Sequence, residues 1–359
     1  MVESQMERNN LTGYLMSCAD APDRRFVYSR ESEEQERKHY NYFTEEIKLK
    51  NLVANRFGQI SDTFILYVIG LMEWATSDTI AAMLRAYSSN YKELNIASTY
   101  ASAPGKEQQA ANEAVKQRLK VLVSGGFAFR RQYDVLRSDG TTHTVTLYGT
   151  DRDSQMYVAH KFNKGKMVMR PWTFAHPLNE AIATAAAAFV ASVIADRGGG
   201  RLTTIKEDAL KTKEMGVMIL PPWIYLDHDE EKYQVIFVPG FFNQNSAYQT
   251  DLDFENAIKY KVQCIKNFMY MCASIKNQGS RKAYVVAVCE SSMDMENFKK
   301  IIWQTKVLAG YGNIDRIYFT SEGAVRSVAD LRDAFLKLEE MEDGELTFTY
   351  ERPPFVWMK

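Results

Sequence analysis

Basic and amide side chains are concentrated between residues 106 and 137. The 359-residue chain has a formal net charge of only -1, yet this stretch holds seven lysines and arginines against three acids. Ammonium and guanidinium groups neutralise phosphate charge, and amides such as those of Gln109 and Asn112 can pair with adenine. The chemistry that this concentrated patch suggests is therefore contact with phosphates and base edges.

The first half of this stretch has the pattern of an amphipathic helix. An apolar face recurs at helical spacing and is expected to pack on neighbouring helices: Ala111, Val115, Leu119 and Leu122. Gly125-Gly126 then ends the helix, because glycine accepts the left-handed conformation found at many helix ends. The opposite stripe carries the side chains predicted to reach the bases: Gln109, Asn112, Lys116 and Lys120.

A β-hairpin is predicted directly after this helix. Residues 127–135 and 142–148 are β-type runs, and Asp139-Gly140 between them is a strong hairpin signal. The helix and the hairpin supply the side chains predicted to contact phosphates: Arg118, Arg130, Arg131 and Arg137. His143 of the hairpin is also predicted to bind DNA. The simpler alternative is an α+β fragment whose polar surface is only solvated.

Two more helices are predicted before the basic one. Ser61-Asp62 and Thr76-Ser77-Asp78 are N-cap signals, and apolar residues at helical spacing follow each of them. We therefore predict a polar, irregular N-terminal arm over residues 1–43 and a domain over residues 44–170. Its order of three helices, a strand, a turn and a strand is that of a winged helix-turn-helix, which reads the major groove with one helix.

The second half of the chain has a different pattern. Residues 171–200 are predicted to be an alanine-rich connecting helix and a linker, Gly198-Gly199-Gly200. Strands and helices alternate over residues 201–359, which favours a small α/β domain. The predicted strands are 217–220, 233–238, 283–289, 314–320 and 346–350, and the predicted helices are 253–275, 293–309 and 328–340.

Composition excludes several classes of protein. Hydrophobic residues make up 46% and charged residues 25% of the chain, as in globular proteins. No apolar run reaches the roughly 18 residues of a membrane span, and residues 1–10 lack the apolar core of a signal peptide, so we expect a cytoplasmic protein. The four cysteines have no metal-binding spacing, and common enzyme motifs are absent, so no metal, cofactor or membrane partner is expected.

The element order and three phrases of the sequence resemble the replication-relaxation family of plasmids and integrative elements. The phrases are VKQRLKVLVSGGFAFRRQYDV, THTVTLYGTD and HPLNEAIATAAAAFVA. Some members of that family resemble mobilisation relaxases with a restriction-endonuclease-like second domain. The resemblance implies a sequence-specific binder of double-stranded DNA that acts in replication or mobilisation, with a relaxase or another relaxosome protein as a partner. A homodimer is also expected, because two half-sites multiply modest affinities.

The second domain is expected to be a degenerate, non-catalytic relative of such nucleases. A nuclease needs carboxylates that hold a divalent metal and a lysine that steadies developing charge. Shortly after the first strand, where such a nuclease would have an acid, this chain has Pro221-Pro222-Trp223. The next strand, where it would have an acidic motif, contains only Gln234 and apolar residues.

Three alternatives stay open. A metal-dependent nuclease or relaxase would use acids that otherwise form a solvated turn or favour a helix dipole: Asp227, Asp229, Glu230 and Glu231, then Asp251, Asp253 and Glu255. A transcriptional regulator of a mobile element would share the fold, and a protein-interaction adaptor would touch no DNA.

The acidic end, with eight acids against three bases over residues 327–352, is interpreted as solvated helix surface.

Overall fold

A computed structural model of the chain divides it into two compact units. The N-terminal unit is Pro22–His176, and the C-terminal unit is Pro177–Lys359 with Met1–Ala21. The structure describes residues 26–28, 60–72, 75–90, 106–136, 142–150, 154, 178–198, 201–204, 209–212, 216–219, 224–228, 233–240, 282–289, 292–305, 316–342 and 344–356. Within these ranges, no helix is both long enough and apolar enough to cross a membrane.

Among its described residues, the N-terminal unit combines three helices with a three-stranded sheet. Its elements are β1 (Phe26–Tyr28), α1 (Ile60–Met72), α2 (Ser77–Asn90), α3 (Lys106–Ser124), β2 (Ala128–Leu136) and β3 (Thr142–Thr150). The sheet is antiparallel in the order β1-β2-β3. Ala75, between α1 and α2, adds a backbone bridge to Tyr148 with N–O distances of 3.2 and 2.9 Å. The predicted helix and hairpin are therefore present, although the turn at 137–141 lies outside the described residues.

Local signals explain where α2 begins and where α3 ends. The Thr76 hydroxyl accepts a hydrogen bond from the Thr79 backbone N–H at 3.2 Å, as an N-cap residue does. At the end of α3, Phe127 N–H donates to the Leu122 carbonyl at 2.9 Å, and Gly126 N–H donates to the Val123 carbonyl at 3.0 Å. Gly126 has a φ of 74°, so this is a Schellman motif with glycine in its left-handed position.

The core of the N-terminal unit lies between the helices and the hairpin. α1 packs on α2 and β3, while α3 packs on α2 and β2. The predicted apolar face of α3 is confirmed at Val115, Leu119 and Leu122, which are buried. Each such side chain contributes about 1.5–3 kcal/mol by leaving water. In the hairpin, the Phe129 ring lies over Gly149, where a Cβ atom would be 2.4 Å from the ring.

Two predictions for this unit differ from the structure. The arm predicted to be irregular contains β1, which pairs with β2 from Phe26 opposite Val135 to Tyr28 opposite Tyr133. Three residues are too short to show a strand period, and their partner strand is about a hundred residues later in the chain. Asp62 does not cap α1 either, because α1 begins at Ile60 and the Asp62 carboxylate binds Arg118.

The described strands of the C-terminal unit are β4 (Arg201–Thr204), β5 (Ala209–Thr212), β6 (Gly216–Ile219), β7 (Ile224–His228), β8 (Tyr233–Pro239), β9 (Lys282–Val288), β10 (Ile317–Thr320), β11 (Leu336–Glu340) and β12 (Leu346–Tyr350). Seven of them form a mixed sheet in the order β12-β11-β10-β9-β8-β7-β4. The pairs β8–β9 and β9–β10 are parallel, and the other pairs are antiparallel. β5 and β6 form a separate hairpin.

The described part of this unit also contains three helices and a 3-10 turn: α4 (Leu178–Gly198), α5 (Ser292–Thr305), α6 (Glu322–Ser327) and the turn Leu331–Ala334. α4 packs on β4, β7, β8 and β9, and its residues 185–195 are all buried. The helix predicted to connect two domains is thus a core helix of the C-terminal unit. β4 begins at Arg201, so the glycine triplet joins α4 to a strand of the same unit and is not a linker between the two units. A glycine run is typical of either kind of connection, and only packing decides between them.

The acidic end of the chain was predicted to be helical at 328–340, and that prediction was wrong. The segment forms the 3-10 turn and then β11, which pairs with β10 and β12. Leu331, Ala334 and Leu338 recur at helical spacing, but Leu336 and Leu338 also alternate as a strand requires, and both are buried. β7 likewise places Asp227 in a strand, opposite Gln234, where the sequence suggested a turn. The predicted helix at 253–275 lies outside the described residues.

Candidate nucleic-acid interface

The outer side of α3 carries polar side chains on successive turns. Glu113, Gln117, Lys120 and Ser124 are exposed, and Lys116 beside them is 44% exposed. Lys116 and Lys120 therefore lie on the side that was predicted to meet DNA. Gln117 is an amide on the same side that the sequence interpretation omitted. The spacing 113, 117, 120 and 124 is the signal that would have found it, since residues three and four apart share a helix face.

Lys116 forms an ion pair on this surface. Its Nζ atom lies 2.9 Å from Glu113 Oε1, one turn earlier, and the Glu113 side chain is 63% exposed. The hydrogen bond to Glu113 raises the pKa of Lys116, and the same bond lowers the pKa of Glu113. Exposed pairs of this kind contribute little to stability. Lys116 can therefore replace its ion pair with Glu113 by one with another anion, with little loss of folding stability.

Tyr148 is influenced by basic groups of α3 and of the hairpin. Burial raises the pKa of its phenol, and the positive charges of Arg130 and Lys116 oppose that rise. Arg130 lies opposite Tyr148 in the β2–β3 register, and Lys116 belongs to α3. Cations from two different elements thus act electrostatically on one side chain. Such a pair of positive charges suits a backbone phosphate.

Asn112 connects α3 to α2. Its Nδ2 atom donates to Asp78 Oδ1 at 3.0 Å, and its Oδ1 atom is buried without a hydrogen-bond partner in the described part of the chain. The sequence pattern placed Asn112 on the outer stripe with Lys116 and Lys120. In the structure the residue is half-buried and its amide is engaged, which favours a structural role over base contact.

Arg118 was predicted to contact phosphate, and the structure gives it another partner. Its Nε donates to Asp62 Oδ1 at 2.8 Å, its second nitrogen donates to Asp62 Oδ2, and Asp62 is fully buried. The guanidinium is thus committed to a bidentate pair between α3 and α1. No local pattern signals this contact, because the two residues are 56 positions apart.

The other predicted contacts are located only in part. Gln109 is in α3, Arg131 pairs with Leu147, and His143 pairs with Val135. The side chains of these three residues lie outside the described part, and Arg137 lies outside it altogether. Their contact with DNA stays a prediction.

The described acids of the C-terminal unit do not form a candidate metal site. Within the described ranges, no group of three or more histidine, cysteine or acidic side chains could hold a metal ion. Of the first acidic cluster only the backbone of Asp227 is described, and the second cluster lies outside these ranges. The described side chains of β8 are apolar and buried: Val235, Ile236, Phe237 and Val238.

Four of the eight acids near the end of the chain form ion pairs, namely Asp330, Asp333, Glu339 and Glu351, which corrects the interpretation of this region as solvated helix surface. Arg352 Nε lies 2.8 Å from Asp333 Oδ1, and its terminal nitrogen lies 3.6 Å from Asp330. Tyr350 donates its hydroxyl to Asp333. The hydrogen bond from Arg332 is the main cause that lowers the pKa of Asp330 from 3.8 to about 2. This cluster fixes the 3-10 turn against β12.

Comparison of the chain with protein-family models, curated proteins and solved structures finds no match. The resemblance to the replication-relaxation family and the assignment as a winged helix stay predictions.

Proposed function

We propose that the chain binds double-stranded DNA through its N-terminal unit, which acts as a winged helix-turn-helix. α3 would lie in the major groove, and the β2–β3 hairpin would lie along the adjacent backbone. The observation that carries this proposal is the outer side of α3, where Gln117 and Lys120 are exposed and Lys116 is 44% exposed. Arg130 of β2 adds a cation from the hairpin, so the helix and the hairpin together offer positive charge to the phosphates that flank a groove.

The rigidity of α3 supports the same proposal. Arg118 ties α3 to α1 through Asp62, and Asn112 ties it to α2 through Asp78. The bridge between Ala75 and Tyr148 then fixes the hairpin to the α1–α2 connection. A reading helix that is already positioned loses little conformational entropy on binding, so more of the contact energy appears as affinity.

The proposed contacts are a revised set. Lys116, Lys120 and Arg130 would neutralise phosphates, and Gln117 would reach base edges. Gln109, Arg131, Arg137 and His143 keep their predicted contacts, whereas Arg118 and Asn112 support α3. By resemblance, we propose that this binding serves replication or mobilisation of a plasmid or conjugative element, with a relaxosome protein as partner. The C-terminal unit would then be a non-catalytic module.

Salt dependence of duplex binding tests the proposal. The full chain is titrated with fluorescent duplexes of its host element at increasing salt, and binding is followed by anisotropy. Loss of one phosphate contact in Lys120→Gln should weaken binding to all duplexes and reduce the salt slope by about one. Lys300→Gln is the matched control, because it removes an exposed helical lysine of the C-terminal unit.

Two results would contradict the proposal. The first is a wild-type chain that does not bind duplex at low salt, which would favour the protein-interaction adaptor. The second is equal loss of affinity in Lys120→Gln and Lys300→Gln, which would mean that α3 is not the contact. Where binding is found, selecting bound fragments from the element's DNA separates the roles. Enrichment near a transfer or replication origin supports mobilisation or replication, and enrichment at promoters supports regulation.

A further inference from the structure

We propose that two copies of this chain form a symmetric dimer by antiparallel pairing of β12 with β12 of the second copy. β12 is the last strand of the seven-stranded sheet, and among the described strands only β11 lies beside it. The inference concerns the C-terminal unit alone and does not rest on DNA binding. It names the surface through which the chain would self-associate.

The backbone of β12 has hydrogen-bonding groups that point away from β11. Met341 N–H donates to the Glu345 carbonyl at 2.8 Å, so residues 341 and 345 occupy a hydrogen-bonded position of the β11–β12 hairpin. Hydrogen-bonded and non-hydrogen-bonded positions alternate along an antiparallel pair of strands. The backbone groups of Thr347 and Thr349 therefore bond to β11. The residues between and beside them direct their backbone N–H and C=O groups away from β11: Leu346, Phe348 and Tyr350. An outward row of this kind is a template for another strand.

The sequence of β12 is nearly a palindrome about its centre. It reads Leu-Thr-Phe-Thr-Tyr from residue 346 to residue 350. A two-fold axis at Phe348 would place Phe348 opposite its own copy, Thr347 opposite Thr349, and Leu346 opposite Tyr350. In this register the three outward residues occupy all the hydrogen-bonded positions. Threonine pairs and aromatic pairs are favourable across strands, and a two-fold interface requires a surface that complements itself.

Two exposed apolar side chains lie near the start of β12. Trp303 is 54% exposed and Met341 is 51% exposed, and they are the two exposed large apolar side chains of the described part. Trp303 Nε1 donates to the Gly344 carbonyl at 3.2 Å, just before β12 begins. β12 contains no charged residue, whereas β4 at the opposite edge of the sheet has four residues and begins with Arg201. Charge and short length are features that discourage pairing at an edge.

β12 is also held in place, so pairing requires no rearrangement of its own sheet. The Phe348 ring packs edge-on against Phe319 with centroids 5.0 Å apart, and Phe319 packs on Phe298 of α5 at 5.7 Å. Lys299 Nζ lies over the Phe348 ring at 5.0 Å. These contacts use the side chain of Phe348 and leave its backbone groups directed outward.

Sedimentation velocity of the full chain over a range of concentrations tests the dimer. In the proposed register the two copies of Thr347 are diagonal neighbours, roughly 7–8 Å apart. Thr347→Lys or Thr347→Glu alone should weaken dimerisation at least tenfold through repulsion of like charges, and an equimolar mixture of the two variants should associate again. Ala329→Lys and Ala329→Glu are matched controls, because Ala329 is exposed and lies outside β12.

A second measurement needs no variant. Amide exchange of wild-type peptides that cover β12 should slow as protein concentration rises, and exchange of peptides that cover α3 should not. Any of three results would overturn the proposal. The wild-type chain could remain monomeric, the charged variants could dimerise like the controls, or amide exchange of β12 could be independent of protein concentration. Lys120→Gln should dimerise normally, so failure of DNA binding and failure of dimerisation are separable.

Discussion

Arg118 of α3 holds the carboxylate of Asp62 in α1 through two hydrogen bonds, and that carboxylate has no exposure to solvent. A buried charge persists only where a partner compensates it, and a bidentate guanidinium does so well. The pair therefore fixes the helix proposed to read DNA to the first helix of its unit. Arg118 would act on DNA only through the position of α3.

Arg118→Met should destabilise α3 by about 3–5 kcal/mol, because it removes the guanidinium that compensates the charge of a buried carboxylate. The double variant Asp62→Leu/Arg118→Met should recover most of that loss. Amide exchange of peptides from α3 in the full chain measures both effects, with Lys120→Met as the surface control. If the double variant also keeps the wild-type salt slope for DNA, Arg118 is a support and not a phosphate contact. Unchanged exchange in Arg118→Met would refute the buried pair.

Glu113→Gln should strengthen DNA binding at low salt by about three- to tenfold, with the difference shrinking as salt screens the charges. The substitution removes a negative charge from the proposed interface and releases Lys116 from its ion pair. Anisotropy titrations at two salt concentrations measure the change. Glu296→Gln is a close control, because Glu296 pairs with Lys299 at the same helical spacing in α5. Equal behaviour of the two variants would place α3 away from DNA.

Gly149→Ala should destabilise the hairpin by about 1–3 kcal/mol, as overpacking of a filled site does. The new Cβ atom would meet the Phe129 ring at 2.4 Å, so the ring or the strand must move. In Gly149→Ala/Phe129→Ala the clash is gone, and the two effects should be less than additive by at least about 0.5 kcal/mol. Urea unfolding of the wild type, the two single variants and the double variant gives the coupling free energy between residues 129 and 149. Strict additivity would show that the ring does not cover Gly149.

Asp330 should give the C-terminal unit a stability that disappears in acid. Its pKa in the folded chain is lowered to about 2, mainly by the hydrogen bond from Arg332. The contribution is therefore present above the ordinary value of 3.8 and is lost as pH falls from there through about 2. Asp330→Asn keeps a capping oxygen but removes the charge, and should cost about 1 kcal/mol at pH 6 and progressively less as pH falls from 3.8 through about 2. Urea midpoints at several pH values measure this, and a cost that is constant with pH would contradict it.

Local chemistry determined much of the N-terminal unit. α3 and the hairpin follow from apolar spacing, from Gly125-Gly126 and from β-type runs, and each of these signals acts over a few residues. Thr76 caps α2 because its hydroxyl reaches a backbone N–H three positions later. Such short-range hydrogen bonds and steric preferences require no knowledge of distant residues. For the same reason the charge excess of residues 106–137 could be read directly from the chain.

Tertiary structure decided which of the polar residues are available. Arg118 and Asn112 have the same residue types as side chains that bind DNA, but partners 56 and 34 positions away engage them. Likewise Leu336–Glu340 fits both a helical and an alternating pattern, and it became a strand because β10 and β12 lie on either side of it. α4 became a core helix because four strands meet its alanines. In each case the deciding interaction joins residues that only the folded chain brings together.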